Sequence, residues 1–272
     1  MFTPPEVAEI AVDVGMAKAS IKPLKLFVLG ILAGMFIALS AVGANTASSL
    51  VANGSLAKTL GAAIFPVGLT MILIAGGELF TGNSLIIVSV LAGETPMSGL
   101  LKNWFFVYFG NFAGSLFVSF VANSSGQYGL FGGAVALSAI NCAVEKVSLP
   151  FFGAMGLAVL CNIVVCVAVW MSFAAKTVQG KIIAIYLPVM LFVLSGLEHC
   201  VANMYFISAG LFALSTPAYA AAAADISGIA NLTWENFFTH SLVPVTVGNI
   251  IGGVLVGFAY WLVYLKKDKE SN

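Results

Sequence analysis

The chain has 272 residues, 60% of them hydrophobic and only 8% charged, with a formal net charge of zero and a mean hydropathy of +1.05. A soluble domain carries about a quarter charged residues, so this composition excludes an ordinary soluble fold and identifies a multi-pass membrane protein. The balanced charge leaves no electrostatic footprint for nucleic acid, and apolar material runs from end to end, so 1–272 reads as a single integral membrane domain.

The chain opens on TPPEVAEIAVDVGMAKAS. Thr3 as N-cap, Pro4 at the first helical position and Glu6 just beyond form a capping-box pattern. Val7, Ile10, Ala11 and Val14 share one face, with Glu6, Glu9 and Asp13 on the other. This predicts a short amphipathic helix over 3–18, lying against the membrane surface or a channel mouth. No apolar run with a small-residue cleavage site precedes the first span, so no cleaved signal peptide is expected.

Crossing the hydrocarbon takes about 20 apolar residues as a helix. Six stretches reach that length: roughly 25–46, 60–92, 103–123, 149–174, 182–214 and 240–265. The predicted fold is therefore all-α with six transmembrane helices. The second and fifth stretches are too long for one straight span and hold polar residues mid-run, so both are expected to be broken. The chain between 123 and 149 reads as a loop, and 266–272 as a tail. All eleven basic residues are lysine. Lys18, Lys22, Lys25, Lys102, Lys176, Lys181, Lys266, Lys267 and Lys269 fall on one side of a six-span topology, and only Lys58 and Lys146 on the other. The excess of positive charge predicts that both termini are cytoplasmic.

Two matches reveal an internal repeat. GGELFTGN (76–83) aligns with GLEHCVAN (196–203) at an offset of 120, pairing Gly76 with Gly196, Glu78 with Glu198 and Asn83 with Asn203. YFGNFAG (108–114) aligns with TVGNIIG (246–252) at an offset of 138, pairing Gly110, Asn111 and Gly114 with Gly248, Asn249 and Gly252. Three spans per half make the halves, 25–123 and 149–265, inverted relative to each other. Inverted repeats are a transporter and channel architecture, with the site at mid-membrane where broken helices of the two halves meet. The second half-helices are expected to begin near Thr81–Asn83 and Cys200–Asn203, with N-termini that favour an anion.

Glu78, Glu198 and His199 are the main ionisable residues at membrane depth, where each is costly and marks a functional site. Both glutamates are expected to accept hydrogen bonds from loop N–H groups or asparagines, with Asn162, Asn203 and Asn249 as candidate partners, and to hold the breaks. His199 has no symmetric twin, since it aligns with Leu79. Either it is a neutral core histidine bonded to an asparagine such as Asn249, or it meets an anion as donor or proton carrier. Thr81 aligns with Val201 and offers a second hydroxyl donor. Leu69, Leu79 and Phe192 are large apolar residues near the breaks and candidates for constrictions. Metal ligation by a lone membrane histidine is a poor reading. The four cysteines, Cys142, Cys161, Cys166 and Cys200, form no CxxC and read as buried hydrophobes.

These residues resemble the formate/nitrite transporter family. The resemblance spans nearly the whole chain and includes PPEVAEIA, GGELFTGN, KNWFFVYFGNFAGS, GLAVLCNIVVCVAVWMS, SGLEHCVANMYF and PVTVGNIIGG in order. It implies an aquaporin-like protomer, a homopentamer in the lipid bilayer of the bacterial inner membrane, and a pore in each protomer. The central histidine maps to His199 and the loop threonine to Thr81. The constrictions map to Leu79 and Phe192, with Leu69 beside Phe192. The hydrogen-bonding shell maps to Glu78, Glu198, Asn162, Asn203 and Asn249, and a vestibule lysine to Lys146. The implied function is a channel or proton-linked permease for a small monovalent anion (formate, nitrite or hydrosulfide), with no enzyme activity, cofactor or metal. A neutral-solute pore, and a membrane-embedded metal or redox enzyme using Glu198, His199 and Cys200, stand as alternatives.

Overall fold

The computed structural model describes residues 1–266. Of the tail read at 266–272, only Lys266 falls inside that range; Lys267 and Lys269 lie outside the described residues. The helices are α1 (Pro4–Ser20), α2 (Pro23–Ser48), α3 (Gly54–Ile64), α4 (Pro66–Ala75), α5 (Ile87–Leu91), α6 (Met97–Ser124), α7 (Ala134–Val147), α8 (Phe151–Ala174), α9 (Val178–Leu194), α10 (Cys200–Leu214), α11 (Pro217–Ala222), α12 (Trp234–Asn236) and α13 (Val243–Tyr264). A 3-10 turn, Gly82–Ile86, leads into α5, and a π-helical turn, Phe237–Leu242, leads into α13. No strand occurs among the described residues.

Six helical segments are long and apolar enough to cross a membrane: Pro23–Ser48, Gly54–Ala75, Met97–Ser124, Gln127–Val147, Phe151–Ala174 and Trp234–Tyr264. One of the six differs from the stretches read in the sequence, and the second and fifth of those stretches are each divided. α4 stops at Gly76 and helical structure resumes at Gly82; α9 stops at Ser195 and α10 starts at Cys200. The stretch read as a loop between 123 and 149 contains α7, whose buried face is Val135, Ala136, Ala139, Ile140, Ala143, Val144 and Val147. The glycines and polar residues of SSGQYGLFGG just before it gave the region its loop character.

Both interruptions turn on a glycine at equivalent positions. Gly76 has φ +98° and Gly196 φ +68°, a region that side chains other than glycine enter at a cost. The halves are locked by close helix crossings. At Gly34 an added Cβ would strike the backbone carbonyl of Asn111, and at Gly252 that of Val159. Glycine at these points lets α2 lie against α6 and α8 against α13 at near-backbone contact, the small-residue packing that membrane helices use in place of a hydrophobic driving force.

α1 does not lie free on a membrane surface. Val7, Ala8, Ala11, Gly15 and Ala19 are buried, packed with Leu85, Ile86, Val88 and Trp170 in one apolar cluster. Its acidic residues Glu6, Glu9 and Asp13 point outward. The Glu6 carboxylate accepts from both the N–H and the hydroxyl of Thr3, at 2.7 Å each. The backbone bond from Phe2 N–H to the Ala174 carbonyl (2.9 Å) ties the chain start to the end of α8.

Candidate functional site

The two loops that interrupt the helices, 76–81 and 195–199, are held by the same set of bonds. In the first, the Glu78 carboxylate accepts from Lys18 Nζ on both oxygens (2.8 Å each) and from Asn83 Nδ2 (2.7 Å). In the second, Glu198 accepts from Lys146 Nζ (2.9 and 3.1 Å) and from Asn203 Nδ2 (2.6 Å). Asn83 Nδ2 goes on to Asn103 Oδ1 (2.8 Å), and Asn203 Nδ2 to Ser241 Oγ (2.9 Å). Both glutamates are buried. A buried carboxylate is tolerated when paired and fully hydrogen-bonded, and each of these meets that condition.

Each loop is also clamped from behind by an asparagine. Asn111 Oδ1 accepts from Phe80 N–H (3.0 Å), and its amide donates to the carbonyls of Gly30 (2.8 Å) and Glu78 (2.9 Å). Asn249 Oδ1 accepts from Cys200 N–H (2.9 Å), and its amide donates to the carbonyls of Ala158 (2.8 Å) and Glu198 (3.0 Å). Several groups of the non-helical backbone are thus satisfied internally, the condition on which it survives at membrane depth. Lys146 stands to Glu198 as Lys18 stands to Glu78, so α7 is the counterpart of α1.

Where the loops meet, symmetry ends. Thr81 Oγ1 lies 2.9 Å from His199 Nε2, and both residues are buried. His199 also caps α10: its Nδ1 accepts from Ala202 N–H at 3.0 Å. A ring nitrogen that accepts from an N–H carries no proton of its own, so the neutral ring holds its proton on Nε2. Nε2–H then donates to Thr81 Oγ1, which leaves the threonine hydroxyl hydrogen free to point elsewhere. The imidazole faces Phe192, with ring centroids 5.8 Å apart and planes at 19°. Phe192 in turn meets Phe65 edge-on at 5.9 Å.

Toward α1 opens a mainly apolar cavity whose wall includes Leu69, Ile72, Leu79, Asn83 and Lys18. Leu69 and Leu79 line this cavity together, whereas Phe192 stands with Phe65 against the histidine. Leu69, Phe65 and Phe192 belong to one buried apolar cluster. Asn162 contacts neither glutamate; its amide donates to the Thr81 carbonyl (3.2 Å), Ser84 Oγ (3.3 Å) and the Asn249 carbonyl (2.6 Å). Asn203 holds the Glu198 carboxylate, and Asn249 only its carbonyl. His199 bonds a threonine rather than an asparagine. Glu198, His199 and Cys200 do not converge, since the first reaches Lys146 and the second Thr81.

Sequence reasoning missed Lys18, Asn83, Asn111, Asn103, Ser241 and Phe65 as site residues. Asn83 and Asn111 were already aligned with Asn203 and Asn249, so symmetry alone could have promoted them. Lys18 sits in MAKAS and Lys146 in VEKVS, a weak echo that the structure turns into a correspondence.

The chain is similar to known proteins over nearly its whole length. The family described as Formate/nitrite transporter matches residues 5–262. The formate channel FocA of Escherichia coli (strain K12) is 38% identical over 276 residues, covering 98% of this chain and 96% of that protein. The formate channel BtFdhC of Bacillus thuringiensis is 35% identical over 273 residues, covering 99% and 98%. A solved structure described as a pentameric formate channel with formate bound superposes with a TM-score of 0.78 at 37% identity, over 90% of this chain and 98% of that one.

Proposed function

This chain belongs to the formate/nitrite transporter family, and we propose on that premise that it is a formate channel, assembled as a homopentamer with a pore through each protomer. Its relatives include proteins named as formate channels, and its structural neighbour is a pentamer with formate bound. The observation that carries the reading is the meeting of Thr81 and His199 at 2.9 Å beside the Phe192 ring. A small anion leaving water for such a site pays a large desolvation cost unless donors replace its hydration. The Nε2–H of His199 and the free hydroxyl hydrogen of Thr81 are two such donors, now spent partly on each other. An anion that inserts between them takes both.

Leu69, Leu79, Phe65 and Phe192 around this site keep the approach narrow and dry. The N-terminus of α10 directly behind His199 adds favourable dipole for negative charge. His199 serves as a hydrogen-bond donor throughout: release of the Nε2 proton to the anion would need Nδ1 to gain a proton, and so to lose Ala202 N–H. Lys18 and Lys146 hold the loop glutamates, so each mouth carries a neutral ion pair rather than a bare cation.

The protein resides in the bacterial inner membrane with both termini cytoplasmic. What supports this orientation is the gathering of Lys18, Lys102 and Lys176 around α1, since Lys102 Nζ donates to the Ala19 carbonyl (2.7 Å) and Lys176 Nζ lies 4.3 Å from the Phe2 ring centroid. Proteoliposome uptake of formate, nitrite and hydrosulfide, with glycerol as neutral control, tests the function. Formate uptake without glycerol swelling is expected; glycerol swelling without anion uptake would assign a neutral-solute pore.

A further inference from the structure

Several side-chain hydrogen bonds cross between the halves, Asn162 to Ser84 and Ser119 to Ser208 among them, and two others are linked to each other through the loops. The first is Thr81–His199. The second joins Tyr108 Oη of α6 to Thr246 Oγ1 of α13 at 3.0 Å. These residues are 138 apart, the spacing that also relates Asn111 to Asn249, so Tyr108 and Thr246 are symmetric counterparts bonded to each other across the pseudo-twofold axis.

The two cross-links close one circuit. Tyr108 lies one helical turn before Asn111, which holds Phe80 N–H; Phe80 is followed by Thr81. Thr81 bonds His199, His199 is followed by Cys200, and Cys200 N–H is held by Asn249, one turn after Thr246. The Tyr108 ring also packs edge-on against Phe80, with centroids 4.9 Å apart. When an anion enters and separates Thr81 from His199, that direct tie between the halves opens. The Tyr108–Thr246 bond, on the far side of the same circuit, is a tie that this opening leaves in place.

We propose that the Tyr108–Thr246 hydrogen bond is a positioning tie that fixes the width of the gap between Thr81 and His199, and through it the size of anion that passes. Both residues are half-buried, and neither lines the cavity beside Leu69 and Leu79. A hydroxyl pair in a hydrocarbon setting has few alternative partners, and interhelical bonds of this kind make measurable contributions to membrane-protein stability.

The inference rests on the formate-channel reading, and the test separates the two. Wild type, Tyr108→Phe, Thr246→Val and the double variant are reconstituted, and uptake of formate and of acetate is measured in each. Each single variant is expected to lower the formate-to-acetate ratio by about threefold to tenfold, the equivalent of one interhelical hydrogen bond. The double variant is expected to match the singles, because the second change removes nothing further. An unchanged ratio in both singles, or effects that multiply in the double, would overturn the proposal. Absence of formate uptake in wild type would instead overturn the formate-channel reading.

A second measurement does not depend on transport. The chain has two histidines, so ¹⁵N-histidine NMR of a His240→Gln background reports His199 alone. Tyr108→Phe is expected to shift or broaden its Nε2 resonance, and an unmoved resonance would overturn the tie.

Discussion

Replacing Lys146 by Met leaves the Glu198 carboxylate buried with only the Asn203 amide as side-chain donor. The lysine side chain is 16% exposed and the glutamate 6%, against 27% and 9% for Lys18 and Glu78. Breaking a buried pair by removing one partner costs about 3–5 kcal/mol, and the outer value applies at Lys146. Lys18→Met, with more water at the amine, is expected to cost about 1–3 kcal/mol. The double variant Lys146→Met/Glu198→Gln removes both charges and is expected to recover much of the loss, with a coupling energy above about 1.5 kcal/mol. Reversible denaturation of the four proteins of the cycle in detergent measures it. Transport gives a second arm. Lys146→Met leaves an uncompensated negative charge at the mouth and should slow anion uptake, and the neutral double should restore it. A coupling energy near zero, or a double variant as slow as Lys146→Met, would refute the clamp and make the lysine a free attractor of anions.

Gly34→Ala is expected to destabilise by about 1–3 kcal/mol through overpacking, because its Cβ meets the Asn111 carbonyl that anchors the first loop. Gly156→Ala, with open space around its added Cβ, should be tolerated in the same thermal assay; equal behaviour of the two would contradict the crossing geometry. At the start of α1, the Thr3 backbone N–H and then its hydroxyl hold Glu6 below the usual carboxylate range. A depressed folded-state pKa means the contribution is present above the unfolded value and lost as pH falls through the folded one. The Glu6 carboxyl, followed by ¹³C NMR, should therefore titrate below the ordinary glutamate range, and titration within or above that range would contradict the cap. Thr81→Val keeps the shape of the site but removes a donor, and should reduce formate uptake without unfolding the protein.

Much of the architecture was legible because membrane helices announce themselves by length and hydropathy, and because GGELFTGN and GLEHCVAN preserve the glycine, glutamate and asparagine that both loops need. The same match separated Glu198, which has a twin, from His199, which has none. Two things were not legible. α7 is preceded by glycines and polar residues, and its apolar face is matched to α10 rather than to lipid, so local composition spoke for a loop. Lys18 reads in sequence as one more cytoplasmic charge. Its bond to Glu78, 60 residues away, exists only because Ala8, Ala11 and Gly15 seat α1 against the short helix after the break. Long-range pairing of this kind leaves no periodicity to find, whereas Asn83 and Asn111 lay within reach through symmetry with Asn203 and Asn249.

The meeting of Thr81 and His199 carries the functional conclusion, and formate flux through His199 variants in proteoliposomes tests it most directly. His199→Phe, which removes the donor, is expected to abolish formate uptake, while His199→Gln, which keeps an N–H donor but cannot titrate, is expected to retain a flux independent of pH between 5 and 8, the range over which an unperturbed histidine changes charge. Unaltered uptake in His199→Phe, or loss of all flux in a folded His199→Gln, would contradict a pore in which the histidine acts as donor.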